Sequence, residues 1–318
     1  MNQTLKRGDT IAVISPSATI KDNPEAMALY NRGVDILNDM GLKVQYGQYA
    51  SGKEYYKSGT AAERISDIEE AYKDSKVKAI FCTQGGDNSN ELLSDIDWNI
   101  IKQNPKKLFG VSDITVLLNA IYAHTGETSY HGIDVIWGLG KNATEYTVNH
   151  LKDFLFTNYI NYRHHPDYLQ WKVIKPGKAT GVCLGGCLPS FCLLLGTDSD
   201  PIRAVSKPFI FIIESIGESF SRIESYIAQI FQQPNFKKYC NGIIIGHFFM
   251  CKEEILENNR NVSDIILEYG KKYNFPVIEV GELGHAVENM IFPIGGQLTI
   301  EANNSNVVIA ADLTTHIK

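Results

Sequence analysis

The chain has 318 residues, 44% hydrophobic and 21% charged, and such a length and composition favour a globular protein of two domains. The net charge of -6 at pH 7 provides no basic surface, so a nucleic-acid polymer is not expected as a partner. The apolar run near the N-terminus, Ile11 to Ile14, is shorter than that of a signal peptide, and no segment approaches the length of a membrane span. We therefore expect a cytoplasmic protein with no membrane partner.

Strand and helix patterns alternate along the first half of the chain. Strands are predicted in "TIAVISPSA", "KVQYGQYA" and "KAIFCTQGG", and helices over 24–40 and 61–73 and from "NSNELL" onward. A short buried strand, Lys107 to Val111, precedes an apolar-faced helix from Ile114 to Tyr122. This alternation predicts parallel strands with crossover helices, where ligands bind at the carboxyl ends of the strands.

The pattern changes after Gly140. Residues 142–167 are predicted as a helix followed by a polar, aromatic-rich connection, and the second half is richer in strands: "KATGVCLGG", "PFIFIIES", "NGIIIGHF", "FPVIEV" and "NMIFPIGGQLTIEAN". Helices over 219–231 and 262–273 interrupt these strands. The prediction is an α/β domain over 1–150, a linker over 151–171 and a β-rich mixed α/β domain over 172–318.

The six cysteines do not indicate a metal centre. Cys183, Cys187 and Cys192 fall within ten residues, but their neighbours are apolar and their spacing matches no zinc pattern. Buried reduced thiols are the expected state, and neither a metal nor a cofactor is predicted.

Ser112 lies at the bend between the strand ending at Val111 and the helix beginning at Ile114. One interpretation is a helix N-cap, in which the hydroxyl accepts a hydrogen bond from a free backbone N–H. The other is a nucleophile projecting from the sheet edge, with nearby helix N–H groups available to a developing oxyanion. The choice depends on a base and an orienting acid elsewhere in the chain.

Loops that leave strand ends offer both partners. Among eight histidines, His285 in "VGELGHAVENMIFPIGG" follows an apolar strand and lies between glycine-rich turns; His247 in "IIIGHFF" and then His131 in "SYHG" are its competitors. Glu214 ends the apolar run Phe209 to Ile213, a costly position for a carboxylate without a partner. Ser112, Glu214 and His285 therefore form a candidate Ser–Glu–His set.

Three segments in this order resemble the LD-carboxypeptidase family of serine peptidases. They are residues 83–132, from "TQGGDNSNELL" to "SYHG", then "FIIESIGE" at 211–218 and "GELGHAVENMIFPIGG" at 281–296. The resemblance implies a Rossmann-like or flavodoxin-like N-terminal domain and a β-rich, swivelling C-terminal domain, with the triad assembled between them. Matched motif by motif, it implies Ser112 as nucleophile, His285 as general base and Glu214 as orienting acid.

The resemblance also implies an oxyanion hole made by the backbone N–H groups of Asp113 and of the Gly85–Gly86 turn. Glycine suits such a turn because the absence of Cβ lets a substrate carbonyl approach the backbone. An α/β-hydrolase fold is not predicted, since position 114 is Ile where the hydrolase elbow has Gly.

Two branches of the family suggest different substrates. Gln84 stands where the cell-wall LD-carboxypeptidases typically have arginine, which places the chain closer to the microcin C self-immunity branch. The favoured substrate is thus a small peptide or an aminoacyl-nucleotide, and the alternative is a muropeptide that loses D-alanine. A non-catalytic two-domain binding protein remains a further alternative.

The resemblance suggests a homodimer. Candidate substrate-binding residues are Asn88 and Ser89, which could instead cap a helix, and Trp171, which could instead pack in the core.

Overall fold

The computed structural model describes residues 4–141, 143–168, 170–252, 260–304 and 306–314. The strands among these residues belong to a single 14-stranded sheet. In chain order they are β1 Thr10–Ile14, β2 Lys43–Tyr46, β3 Val77–Cys82, β4 Lys107–Gly110, β5 Ser129–His131, β6 Tyr159–Asn161, β7 Lys172–Lys175, β8 Gly177–Cys187, β9 Phe209–Ile216, β10 Cys240–Phe249, β11 Val277–Gly284, β12 Phe292–Ile294, β13 Gln297–Asn303 and β14 Asn306–Asp312.

The α-helices of the described residues lie between these strands. They are α1 Pro24–Asp39, α2 Ala61–Lys73, α3 Trp98–Gln103, α4 Thr115–Thr125, α5 Glu145–Phe156, α6 Leu188–Cys192, α7 Pro201–Ala204, α8 Phe220–Gln232, α9 Pro234–Tyr239 and α10 Val262–Tyr269. Two 3-10 turns, Ser89–Leu92 and Ser112–Ile114, and a π-helix, Val135–Lys141, complete the helical elements.

The sheet follows the order β2-β1-β3-β4-β5-β12-β8-β9-β10-β11-β7. Its first five strands pair in parallel, which confirms the predicted α/β architecture of the first half. Strands β8 to β11 are again parallel, and antiparallel β13, β14 and β6 form an arm beside β8. The two halves meet where β12 pairs antiparallel with β5, so the sheet runs through both.

Helix boundaries follow local capping chemistry. Helix α2 coincides with the predicted range because Thr60 and Glu63 form a capping box and satisfy backbone N–H groups at its first turn. Helix α1 begins at Pro24, after Asn23 accepts a hydrogen bond from the Ala26 N–H. Helix α10 is shorter than predicted: it ends at Tyr269, and its C-cap residue is Gly270, a poor helix former.

Two predicted segments differ from the structure. The helix predicted from "NSNELL" is only the 3-10 turn Ser89–Leu92, and α-helix resumes at α3. The predicted linker 151–171 contains the second half of α5 and the strand β6, which pairs with β14. The polar, aromatic composition of this segment did not predict a strand, because the partner of β6 is β14, which lies more than 140 positions later in the sequence. The domain boundaries themselves stay a prediction.

Two apolar clusters stabilise the fold. The larger surrounds β1, β3, β4 and β5 and continues past β12, while the second packs β8, β9 and β10 against α6, α8 and α10. Cys183 and Cys187 are buried free thiols, as predicted, and Cys192 is half-buried and free. Within the described ranges, none of the helices has the length and apolar character needed to cross a membrane.

Candidate active site

Ser112 begins a strained turn at the carboxyl end of β4. Its φ of +63° lies in the left-handed region, which residues with a Cβ rarely adopt. Val111, not Ser112, is the N-cap residue of the 3-10 turn Ser112–Ile114, and that turn has no side-chain capping hydrogen bond. The N-cap interpretation is therefore wrong, and the strained strand-to-helix turn is the geometry expected of an exposed nucleophile.

The neighbouring Asp113 ties this turn to two other loops. Its side chain is 1% exposed, and its Oδ2 accepts hydrogen bonds from Ser17 Oγ at 2.6 Å, Asn88 N at 3.0 Å and Ser89 N at 2.8 Å. Three donors on one carboxylate oxygen hold the loops after β1 and β3 against the serine turn. The sequence analysis used only the backbone of Asp113 and missed this role of its carboxylate.

Glycine is required at residues 85 and 86 by the closeness of their neighbours. A Cβ on Gly85 would lie 2.7 Å from Ser112 Cβ, 3.0 Å from Ser112 Oγ and 3.3 Å from the Asp113 backbone nitrogen. A Cβ on Gly86, where φ is +153°, would lie 2.4 Å from Ser17 Oγ. This turn thus lies beside the serine side chain and the Asp113 amide, at a distance that leaves no room for a Cβ on Gly85.

Glu214 and His285 form a hydrogen-bonded pair. Glu214 lies on β9 with no exposed surface, and its Oε2 is 2.7 Å from Nδ1 of His285, which follows β11. Burial opposes charge on both groups, but each stabilises the charged form of the other. The net result is a raised pKa for His285 and a lowered pKa for Glu214.

The competing histidines occupy other positions. His247 on β10 lines a separate cavity with Phe248 and Glu279, and burial lowers its pKa. His131 at the end of β5 is fully buried, with Nε2 3.9 Å from Glu214 Oε1. Of the three candidates, His285 is the one that lines a cavity together with Ser112.

That cavity has a volume of about 460 Å³ and is open on one side to solvent. Besides Ser112, His285 and the Gly85–Gly86 turn, its walls include groups that the sequence analysis did not single out. These are Asp134, Trp137, Lys141 and Asn289, together with Ile216 and Phe249.

The π-helix supplies a polar and aromatic wall. Trp137 Nε1 donates to Gln84 Oε1 at 3.2 Å, and Lys141 Nζ lies 4.9 Å from the centre of the Trp137 ring. Asp134 Oδ1 accepts from the backbone nitrogens of Trp137 and Gly138, and burial raises the pKa of Asp134 to about 7. The signal available in the sequence was that "IDVIWGLGK" follows a strand end, where binding groups are common.

The predicted substrate-binding residues lie elsewhere. Ser89 has no exposed surface and donates through Oγ to the Asp113 carbonyl, while the Asn88 backbone donates to the Asp113 carboxylate. Trp171 donates through Nε1 to Glu282 Oε2 at 2.8 Å. None of the three is among the described residues that line the cavity of Ser112, so their role in substrate binding stays a prediction. Their sequence positions did not reveal the buried carboxylates that they contact.

Cys187, Glu214 and His285 also offer three potential metal ligands within 4.8 Å of one another. The Glu214–His285 hydrogen bond occupies one atom of each, and burial raises the pKa of the Cys187 thiol well above its ordinary range. A protonated thiol donates weakly to a carboxylate and is a poor ligand. The residues therefore suit a hydrogen-bonded relay better than a metal ion.

Ser112, in a strained strand-to-helix turn, and His285, bonded to the buried Glu214, line one cavity, and this arrangement is typical of the serine hydrolases. The family models place the chain within that class. Residues 11–132 match the LD-carboxypeptidase N-terminal domain, and residues 180–300 match the LD-carboxypeptidase C-terminal domain. The chain belongs to the LD-carboxypeptidase family and is a serine carboxypeptidase, as its sequence motifs predicted.

Relatives from both branches align over nearly the whole chain. The chain is 26% identical to a probable murein peptide carboxypeptidase of Bacillus subtilis, over 98% of this chain and 95% of the relative. It is 27% identical to the microcin C7 self-immunity protein MccF of Escherichia coli, over 95% and 93%.

Solved structures agree with the fold. An MccF-like protein from Bacillus anthracis has a TM-score of 0.85 at 29% identity, covering 97% of this chain and 98% of its own. MccF in complex with aspartyl sulfamoyl adenosine has a TM-score of 0.84 at 25% identity, covering 98% of each chain.

Proposed function

We propose that this carboxypeptidase hydrolyses an amide bond through a Ser112–His285–Glu214 triad. The observation that carries the proposal is the 2.7 Å bond between His285 and buried Glu214, with His285 lining the same cavity as the strained Ser112 turn. His285 accepts the Ser112 proton as Oγ attacks the carbonyl, and then protonates the leaving amine. Water, activated by the same imidazole, releases the acyl group from Ser112.

The oxyanion forms beside the backbone N–H groups of Asp113 and of the Gly85–Gly86 turn. The position of Gly85 supports this role: a Cβ added there would lie 3.0 Å from Ser112 Oγ and 3.3 Å from the Asp113 nitrogen. Preorganised N–H groups at such a place stabilise charge that develops at the carbonyl oxygen. Glu214 holds the imidazole with Nδ1 towards the carboxylate, so that Nε2 is directed away from it and is available to the nucleophile.

The favoured substrate is a small peptide or an aminoacyl-nucleotide. The complex of MccF with aspartyl sulfamoyl adenosine supports the nucleotide-linked class. The Trp137 ring and the Lys141 ammonium support it, because an aromatic face and a cation on one wall suit a planar, anionic group. The second candidate is release of D-alanine from a muropeptide, favoured by the full-length similarity to the murein peptide carboxypeptidase.

A mass-spectrometric hydrolysis assay tests both substrates. Wild-type protein, Ser112→Ala and the surface control Ser221→Ala are each offered a muropeptide tetrapeptide and an aminoacyl-nucleotide with a non-hydrolysable phosphate linkage. Ser112→Ala should lose several orders of magnitude in kcat, and Ser221→Ala should match wild type. Cleavage of the nucleotide conjugate alone identifies an immunity-type enzyme, and release of D-alanine alone identifies a cell-wall enzyme.

A serine-directed phosphonate separates an enzyme from a binding protein. It should attach to Ser112 in wild type and not in Ser112→Ala. If neither substrate is cleaved and Ser112 is not labelled, the triad proposal fails and the binding-protein alternative gains support. A homodimer and a cytoplasmic location remain predictions; sedimentation equilibrium and cell fractionation test them.

A further inference from the structure

His131 is a buried histidine whose polar atoms are unsatisfied. It ends β5, has no exposed surface, and neither ring nitrogen has a hydrogen-bond partner within the described part of the chain. Burial lowers its pKa to about 4, so the ring is neutral at pH 7 and carries a single N–H donor. Buried polar groups are nearly always paired, so an unpaired imidazole requires an explanation.

The nearest charged group is the acid of the triad. Nε2 of His131 lies 3.9 Å from Oε1 of Glu214, an oxygen without a geometric hydrogen-bond partner among the described residues. The Cys187 thiol also interacts with this carboxylate and helps to lower its pKa, but a thiol is a weak donor. The other oxygen, Oε2, is bonded to His285 Nδ1. An unpartnered ring nitrogen therefore lies near an unpartnered carboxylate oxygen. With the neutral ring protonated on Nε2, an approach of about 1 Å would give an ordinary hydrogen bond.

The strand beside the ring is shaped to admit it. Gly186 on β8 has a φ of +126°, and a Cβ there would lie 2.7 Å from His131 Cδ2 and 2.9 Å from Nε2. Only glycine leaves this space, because any side chain would displace the edge of the ring that faces Glu214. The neighbouring residue Cys187 pairs in register with Glu214. A larger residue at position 186 would therefore place a β8 side chain between the His131 ring and the Glu214 carboxylate.

We propose that His131 is a positioning residue that donates from Nε2 to Glu214 Oε1 in the working enzyme and fixes the acid relative to the nucleophile. Ser112 and His131 both lie in the N-terminal family domain, whereas Glu214 and His285 lie in the C-terminal one. The His131–Glu214 bond joins the acid to the half that carries the serine. The inference rests on the proposed roles of Ser112, Glu214 and His285.

Two amide substitutions separate this role from simple core packing. His131→Gln can place its side-chain NH2 near the position of Nε2, whereas His131→Asn reaches only the position of Nδ1. We expect the Asn variant to lose about 10- to 100-fold in kcat, the usual effect of a lost hydrogen bond to a buried charge, and the Gln variant to stay within a few-fold of wild type. KM should not change, because His131 is not among the described residues that line the cavity of Ser112.

A double-mutant cycle with Glu214→Gln distinguishes loss of the His131–Glu214 hydrogen bond from a change in core packing. Without the carboxylate, the Asn and Gln variants at residue 131 should have equal kcat. Equal kcat for the two variants in the wild-type background would overturn the proposal. So would a difference between them that persists unchanged in the Glu214→Gln background.

Nitrogen-15 NMR of the histidine rings keeps the test independent of turnover. The proposal requires a His131 Nε2–H proton in slow exchange, whose signal shifts in Glu214→Gln. If no substrate is cleaved by wild type, the proposed function fails, and the NMR signal still decides whether the His131–Glu214 bond exists. A His131 ring protonated on Nδ1 alone would refute that bond.

Discussion

Replacing Glu214 by glutamine tests the core of the proposed mechanism. The substitution keeps the size of the side chain and an acceptor oxygen for His285 but removes the negative charge. At the observed 2.7 Å between Oε2 and Nδ1, and with an effective dielectric of about 20, the lost attraction to the imidazolium is about 6 kcal/mol. This value is an upper limit on the lost interaction energy, because the glutamine dipole retains part of the attraction.

At about 1.4 kcal/mol for each factor of ten, this upper limit corresponds to a decrease of roughly 10⁴-fold in kcat. We expect kcat to fall by about 10³- to 10⁴-fold. The acidic limb of the pH profile should also move. Burial lowers the pKa of His285, while the charges of Glu214 and Asp134 raise it to a net value above its ordinary range. Without the Glu214 charge that pKa falls, so the base becomes active at lower pH.

Steady-state kinetics between pH 5 and 9 measures both effects. Glu224→Gln is the matched control, because Glu224 pairs with Arg260 at the half-exposed surface and a lost surface ion pair has little effect. Circular dichroism verifies that each variant is folded. A Glu214→Gln enzyme with kcat within tenfold of wild type and an unshifted acidic limb would show that Glu214 is not the orienting acid.

Three further predictions concern side chains around the nucleophile. Asp113→Ala leaves three loop donors without their acceptor and should lower the free energy of unfolding by roughly 3–5 kcal/mol in urea denaturation; a change below about 1 kcal/mol would contradict the anchoring role. Because burial raises the folded-state pKa of Asp134 to about 7, its ionisation costs stability that grows as pH rises from about 4 to 7. Asp134→Asn should therefore gain stability relative to wild type between pH 5 and pH 8, and thermal denaturation with the same difference at both pH values would refute this sign. Lys141→Met should raise KM about tenfold for an anionic substrate while leaving a charge-neutralised analogue unaffected, and equal effects on both substrates would show that Lys141 does not bind the anion.

Local sequence signals predicted those parts of the fold that local chemistry decides. Helix α2 has its predicted bounds because Thr60 and Glu63 satisfy its first turn within four residues. The segment after Gly86 was predicted as a helix from similar residues, but the Asn88 and Ser89 N–H groups bond to Asp113, 24 or more positions later in the sequence. A competing acceptor so distant in sequence is invisible in the pattern of the segment itself.

The same distinction applies to the site. Ser112, Glu214 and His285 could be selected because each follows or ends an apolar strand, and the ends of parallel strands share one edge of the sheet. Trp137 and Lys141 also follow a strand end, but the sequence does not predict the π-helix that places these two side chains on the cavity wall. Strand ends are thus readable from sequence, while the side chains that shape a cavity depend on tertiary packing.

In the proposed mechanism the triad is divided between the two halves of the chain, so the junction of the halves positions Ser112 relative to His285 and Glu214. The halves meet through backbone pairing of β5 with β12, in which His131 lies opposite Phe292. Directly after β5, a Cβ on Gly132 would lie 2.3 Å from the Met290 carbonyl oxygen, so the two backbones approach as closely as glycine permits. A shift of about 1 Å between the halves would separate Ser112 from His285 enough to impair proton transfer. In the proposed mechanism, the main-chain pairing that extends the sheet across this junction therefore also keeps the nucleophile and the base in register.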